Sequence, residues 1–132
     1  DAKKINQLLD SAIEQVNYSL KIAKTIVEKY NISFDFHFNL VSIHPFGDGN
    51  GRTSRLLMNY IQKCFDLPLS IIYKEDKLAY IQALDETRKQ EDIEIFRTFM
   101  FGQLDKFLSQ ELLKFDSEKK KIRKMGQLSY IF

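Results

Sequence analysis

Within the run His44-Pro45-Phe46-Gly47-Asp48-Gly49-Asn50-Gly51-Arg52, three glycines alternate with polar residues just ahead of a helical pattern. Glycines at this spacing free the backbone to turn its N–H groups into one concavity, and the following helix aims its positive end at the same place. The chemistry this predicts is anion binding. Arg52 and Arg55 stand three apart in the first turns of that helix, so both guanidinium forks reach a phosphate chain lying over the loop. Two cations near a helix N-terminus oppose its dipole, which points to a bound anion as their reason. Asp48 sits inside this cationic cradle, where a carboxylate repels phosphate unless a divalent ion stands between them. Asp48 is therefore expected to hold Mg²⁺ bridging two phosphates. His44 lies four residues before Asp48 at the end of the preceding element, overlooking the phosphates. An imidazole, with an ordinary pKa near ~6.5, takes a proton from an attacking hydroxyl at neutral pH, a contribution of roughly 10²- to 10⁴-fold.

Other phosphate and metal loops fit less well. A Walker loop needs Lys followed by Ser or Thr after its last glycine, and Arg52-Thr53 only imitates it. An EF-hand beginning at Asp48 needs glycine where Thr53 stands and glutamate where Asn59 stands. A plain glycine turn with a packing histidine does not account for His, Asp, Asn and two Arg in fixed order.

The elements that must position this run read as helices. Ile5, Leu8, Leu9, Ala12, Ile13, Val16, Leu20, Ala23, Val27 and Tyr30 recur at steps of three and four, giving one long helix or two joined near Asn17 to Ser19. The stretch from Ser33 to Leu40 alternates apolar and polar residues as a strand does. With no partner strand elsewhere, it is assigned to a helix whose face carries Phe34, His37, Phe38 and Val41. His44-Pro45 ends that helix, since a residue before proline is pushed out of the α region. A helix from Asn50 shows Leu56, Leu57, Tyr60, Ile61 and Cys64 as its apolar positions and stops at Asp66-Leu67-Pro68. Further helices are expected from about Asp76 to Arg88 and from Asp92 through Leu108, and a charged helical stretch runs from Glu111 to Met125. Its cluster Lys119-Lys120-Lys121-Ile122-Arg123-Lys124 reads as a solvated helix end, with an acidic partner as the alternative.

The 132 residues, 44% hydrophobic, suit one domain spanning 1–132, its core about 5–110 and its charged C-terminal helix 111–132. Twenty Lys and Arg against 18 Asp and Glu leave a net charge of only +2, so no global field draws the chain to nucleic acid or an acidic membrane, and neither partner is expected. The single cysteine, Cys64, makes no internal disulfide and falls in an apolar helical phase as a small core residue, consistent with a reduced compartment. No apolar run reaches the roughly 18 residues of a membrane span and no signal peptide opens the chain, so a cytoplasmic location is expected.

The segment His44-Pro45-Phe46-Gly47-Asp48-Gly49-Asn50-Gly51-Arg52-Thr53-Ser54-Arg55 resembles the signature of the Fic family (filamentation induced by cAMP), His-x-Phe-x-Asp/Glu-Gly-Asn-Gly-Arg with a second Arg three further on. The likeness extends upstream through His37, Leu40, Val41 and Ile43, and downstream through Leu56-Leu57-Met58-Asn59, Pro68, Ile71-Ile72 and the Tyr80 helix, about two thirds of the chain. It implies an all-α, compact helical bundle in which the signature loop joins two central helices. It also implies an adenylyltransferase that moves AMP from ATP onto a Tyr, Thr or Ser hydroxyl of a target protein. By that likeness His44 is the general base, Asp48 the Mg²⁺ ligand and Phe46 the loop's anchor in the core. Gly49, Asn50 and Gly51 hold the α- and β-phosphates, Arg52 the phosphate chain and Arg55 the γ-phosphate, while Tyr80 and Thr87 fall on the adenosine side. The alternatives are a Fic-like transferase using another nucleotide or phosphate-linked donor, and a non-catalytic ATP-binding regulatory or antitoxin-type module.

Two features that accompany the signature in many Fic proteins are not found. No β-hairpin flap precedes it, so the flap either lies before Asp1 or targets dock otherwise. No complete Ser/Thr-x-x-x-Glu-Gly/Asn inhibitory motif is present, but Ser129-Tyr130-Ile131-Phe132 ends one residue short of where its Glu would stand. The expectation is that the sequence continues into that motif with Arg55 as the lock point, an autoinhibitory C-terminal helix; a separate antitoxin is the other way to occupy that lock, and the oligomeric state is left open.

Overall fold

A computed structural model describes residues 1–129, and all five of their long elements are α-helices: α1 (Ala2–Ile22), α2 (Ile26–Ile43), α3 (Asn50–Cys64), α4 (Lys77–Gln90) and α5 (Ile93–Ser129). A 3₁₀ turn, Lys74–Asp76, leads into α4, and no strand occurs among the described residues. The expected all-α class is therefore the observed one. The inhibitory-motif expectation at Tyr130 to Phe132 lies outside the described residues. None of the described helices is long and apolar enough to cross a membrane.

The first helical pattern divides at residues 23–25, not near Asn17 to Ser19. The cause is a capping box: Thr25 Oγ1 accepts from Glu28 N at 3.1 Å, and the Glu28 carboxylate accepts from Thr25 N at 3.0 Å and from Lys24 N at 2.6 Å. Three donors that a helix start leaves without partners are thereby satisfied by two side chains. Those hydrogen bonds hold the Glu28 carboxyl below its usual range.

α2 is the central helix and packs against α1, α3 and α5. One of its faces enters a cluster with Met58, Ala83, Leu84, Phe96, Met100 and Leu104, to which it contributes Tyr30 and Phe34. Its other face, Phe36 and Leu40, packs with Ala12 of α1 and Ile61 of α3. A helix buried on two sides loses the single apolar stripe of a surface helix, which is why residues 33–40 alternate like a strand.

α3 departs from its expected face. Leu56 and Tyr60 are exposed at 69% and 65%, and Cys64 is exposed rather than a core residue. The buried positions are Asn50, Ser54, Met58, Ile61 and Gln62, mostly polar and mostly four apart. Met58 and Ile61 join the apolar clusters, and the polar three are accommodated inside because they are hydrogen-bonded. Gln62 Nε2 donates to Ser33 Oγ at 2.9 Å, Ser33 Oγ donates to the Tyr30 carbonyl at 2.7 Å, and Gln62 Oε1 accepts from Ser70 N at 2.9 Å. Tyr30 OH closes the seam by donating to the Pro68 carbonyl at 2.8 Å. Each buried polar group left unpaired costs about 1–3 kcal/mol, so this seam fixes the depth at which α3 sits against α2.

α5 begins in the core with Phe96, Met100 and Leu104, and Arg97 reaches back to α2 in a two-pronged bridge to Asp35 at 2.8 and 2.5 Å. Its side chains from 111 to 127 are all exposed.

Candidate active site

α2 ends at His44, which caps it in the left-handed region (φ 53°, ψ 58°) and donates its backbone N–H to the Leu40 carbonyl at 3.0 Å. A non-glycine residue pays about 1–2 kcal/mol for that conformation, and His44 lines the cavity over the loop. Pro45 follows and the chain turns back. Gly49 (φ +79°) is the N-cap of α3 and offers no side-chain cap. The first amides of α3 therefore face outward without a side-chain partner, the arrangement that binds anions at helix N-termini. Of the three glycines, only Gly49 adopts a positive φ; Gly47 lies in open space and Gly51 is already inside α3.

The loop is fastened by Asn50, not by Phe46 as expected. The Phe46 ring is 48% exposed, whereas the Asn50 side chain is buried and spans the loop. Its Oδ1 accepts from Phe46 N at 2.9 Å and its Nδ2 donates to the Phe46 carbonyl at 2.7 Å. Ser54 Oγ in turn donates to the Asn50 carbonyl at 2.7 Å. Only a planar amide offers donor and acceptor side by side for such a clasp, the one sequence cue that could have identified it. With its side chain so engaged, Asn50 has its backbone left to offer a ligand.

A cavity of about 330 Å³ opens over the loop, lined by His44, Asp48, Gly49, Gly51, Arg52 and Arg55 together with Gly47 and Asn50. The structure thus brings together every signature residue assigned to base, metal and phosphate. Arg52 and Asp48 form an exposed pair at 3.3 Å, and Asp48 Oδ1 accepts from Gly49 N at 2.7 Å. An ion pair this exposed contributes little, so either partner is readily given up to a ligand. The Arg52 and Arg55 guanidiniums lie against Gly49 and Gly51, where an added Cβ would stand 3.4 Å from each. Among the described residues no group of three or more His, Cys, Asp or Glu is positioned to hold a metal. Any ion here would depend on Asp48 together with ligand oxygens.

Tyr80 and Thr87 do not join this cavity. Tyr80 is a core residue: its OH shares a 2.9 Å hydrogen bond with His37 Nε2, and its ring packs against Phe96 and Phe99. Thr87 is buried, its Oγ1 lacks a partner, and it lines a separate cavity of about 520 Å³ beside Phe38, Asn39, Ser42 and Arg88. Sequence spacing did not reveal the role of His37. It is fully buried and stacks parallel on Phe96 at 5.6 Å. Burial lowers its pKa to about 4, with the Arg55 charge pushing the same way and the Ser54 backbone opposing.

A family model described as the Fic/DOC family matches residues 1–62. The chain is 45% identical over 64 residues to the protein adenylyltransferase Fic of Aedes aegypti, covering 48% of this chain and 13% of that protein. It is 43% identical over 72 residues to the protein adenylyltransferase Fic of Drosophila melanogaster, covering 54% of this chain and 14% of that protein. The matched stretch is thus about one seventh of the length of these relatives. It contains α1, α2, the loop and nearly all of α3, so the cavity-lining residues all fall inside it. Residues 1–62 of this chain, the part that builds the cavity, are thus similar to the Fic/DOC family.

Proposed function

We propose that this chain transfers AMP from ATP to a Tyr, Thr or Ser hydroxyl of a target protein. The observation that carries this reading is the convergence of His44, the open N-terminus of α3, Arg52 and Arg55 on one cavity. The name of the matched relatives supports it.

In the reaction, the target hydroxyl oxygen forms a bond to the α-phosphorus while the bond from that phosphorus to the β-bridging oxygen breaks. The hydroxyl proton passes to the His44 imidazole, and pyrophosphate leaves with the electron pair. In this reading Arg52, Arg55 and the first α3 amides hold the charge that develops on the departing phosphates, which is where preorganised donors contribute most to rate. Asp48 fits Mg²⁺, because this ion is commonly held by one or two carboxylates plus substrate phosphates, and Asp48 Oδ2 is committed only to the exposed Arg52 pair. When bound, Mg²⁺ would neutralise charge across the phosphates.

Labelled ATP tests the proposal. Label should pass to protein from the α position and not from the γ position, and His44→Ala should abolish transfer while nucleotide binding persists. Transfer from the γ position points to a kinase, and binding without transfer points to a regulatory module. Unchanged transfer by His44→Ala would remove His44 as the base.

A further inference from the structure

His37 is fully buried, and its Nδ1 has no hydrogen-bond partner. A polar atom left unpaired in a core lowers stability, whereas removing both members of a buried polar pair in favour of apolar groups of the same shape is close to neutral. Two phenylalanines in place of His37 and Tyr80 would pack without that loss, so the polar pair calls for a reason beyond stability. The imidazole joins α2 to three other helices: it shares a 2.9 Å hydrogen bond with Tyr80 OH of α4, stacks parallel on Phe96 of α5, and lies near enough to the Ser54 backbone of α3 for it to favour a proton on the ring.

This junction borders the cavity through α3. Ser54 leads directly into Arg55, whose guanidinium lines the cavity and lies against Gly51. Among the described residues no carboxylate pairs with Arg55, so no ion pair fixes its direction. Its charge nevertheless acts on both members of the pair. Burial keeps His37 neutral, with Arg55 pushing the same way, and burial holds the Tyr80 phenol above its usual range against the pull of Arg55 and Arg88. Tyr80 thus keeps its proton and donates it to Nε2 of a neutral ring, and no second charge appears on His37 beside Arg55.

We infer that His37, with Tyr80 as its partner, is a positioning residue for Arg55: the pair ties α3 to α4 through α2 at the turn that carries Arg55, and so holds its guanidinium where a terminal phosphate meets it. This rests on the proposed reading of the cavity as a triphosphate site. His37 itself, being fully buried, touches no substrate. An arginine fork binds phosphate by direction as well as by charge, so a small displacement of its helical turn weakens the contact.

Calorimetric titration of the full chain with ATP and with ADP tests this, because the two nucleotides differ only in the terminal phosphate. Arg55→Ala should abolish the preference of the wild type for ATP. Tyr80→Phe removes only the hydroxyl; it should weaken ATP about three- to tenfold, as coupled neighbours do, and ADP less than about twofold. Placed on top of Arg55→Ala, it should cause no further loss of ATP affinity. His37→Phe keeps the stacking on Phe96 but lacks the acceptor, and should reproduce the pattern; should it fail to fold, Tyr80→Phe decides alone. Equal weakening of ATP and ADP by Tyr80→Phe overturns the inference, since the pair then only supports the fold or touches the adenosine that both nucleotides share. Unchanged ATP affinity overturns it too, as does a loss that adds in full to that of Arg55→Ala. A wild type without preference for ATP, or an Arg55→Ala variant that keeps it, removes the phosphate role of Arg55 and the inference with it, a failure read from different proteins than the others.

Discussion

Acidification from pH 7 to pH 5 should remove roughly 2 kcal/mol of stability through His37 alone. Its folded pKa is about 4, lowered first by burial, against about 6.5 in an unfolded chain. A depressed histidine pKa means that the fold requires the neutral ring. Above 6.5 both states are neutral and the cost is absent. Between 6.5 and 4 the unfolded chain takes up a proton that the folded chain refuses, so stability falls as pH falls. At 1.36 kcal/mol per pH unit, the 1.5 units between 6.5 and 5 give roughly 2 kcal/mol, or about 6–10 °C in Tm for a chain of this size. Urea denaturation of the wild type and of His37→Gln at pH 7 and pH 5 isolates the effect, because glutamine keeps a hydrogen-bonding group for Tyr80 OH but does not titrate. The variant should be less stable at pH 7, having lost the stacking on Phe96, and its loss between pH 7 and pH 5 should be smaller by roughly 2 kcal/mol. Equal losses in the two proteins would mean that His37 is solvated and that the buried neutral ring is wrong. His37→Phe, which also lacks the titration, should share the flatter pH dependence.

The loop offers two further tests. Asn50→Ala removes both bonds to Phe46 and should cost about 1–3 kcal/mol by thermal denaturation, with a larger fall in AMP transfer than in overall fold; a loop held by the Phe46 ring instead would be indifferent to it. Gly49→Ala must adopt φ +79° with a Cβ against Arg52, and should lose about 1 kcal/mol or more together with affinity for triphosphate by calorimetry. An unchanged affinity would separate Arg52 from the phosphates.

That the loop's residues gather around one cavity could be read from their order, because they lie within twelve consecutive positions and need no distant element to bring them together. The helices were harder wherever burial is not apolar. Periodicity marked Leu56, Tyr60 and Cys64 of α3 as buried, but they face solvent, while Asn50 and Gln62 lie inside with partners on the loop and α2, and Ser54 lies inside donating to the Asn50 carbonyl of its own helix. A hydrophobicity pattern contains no record of such partners. The division of α1 from α2, by contrast, was visible: Thr25-Ile26-Val27-Glu28 is the Ser/Thr-x-x-Glu pattern of a helix start, overlooked because apolar spacing runs across it. Tyr80 falls on the adenosine side by resemblance alone, and its core partners are contributed by α2 and α5, 43 and 16 residues away at His37 and Phe96, beyond the reach of any local pattern.

Asn50 clasps both backbone groups of a residue four positions earlier, between a left-handed helix end at His44 and a left-handed helix start at Gly49. Such a clasp counts residues rather than reading them. Gly47, with open space around its Cα, has room for other side chains, but one residue more or fewer between His44 and Asn50 would take Phe46 out of reach of the amide and rotate His44 away from the α3 amides. The segment is thus open to exchange of letters and closed to insertion, so a family drifting from this ancestor would keep the loop's length long after its less constrained positions had changed.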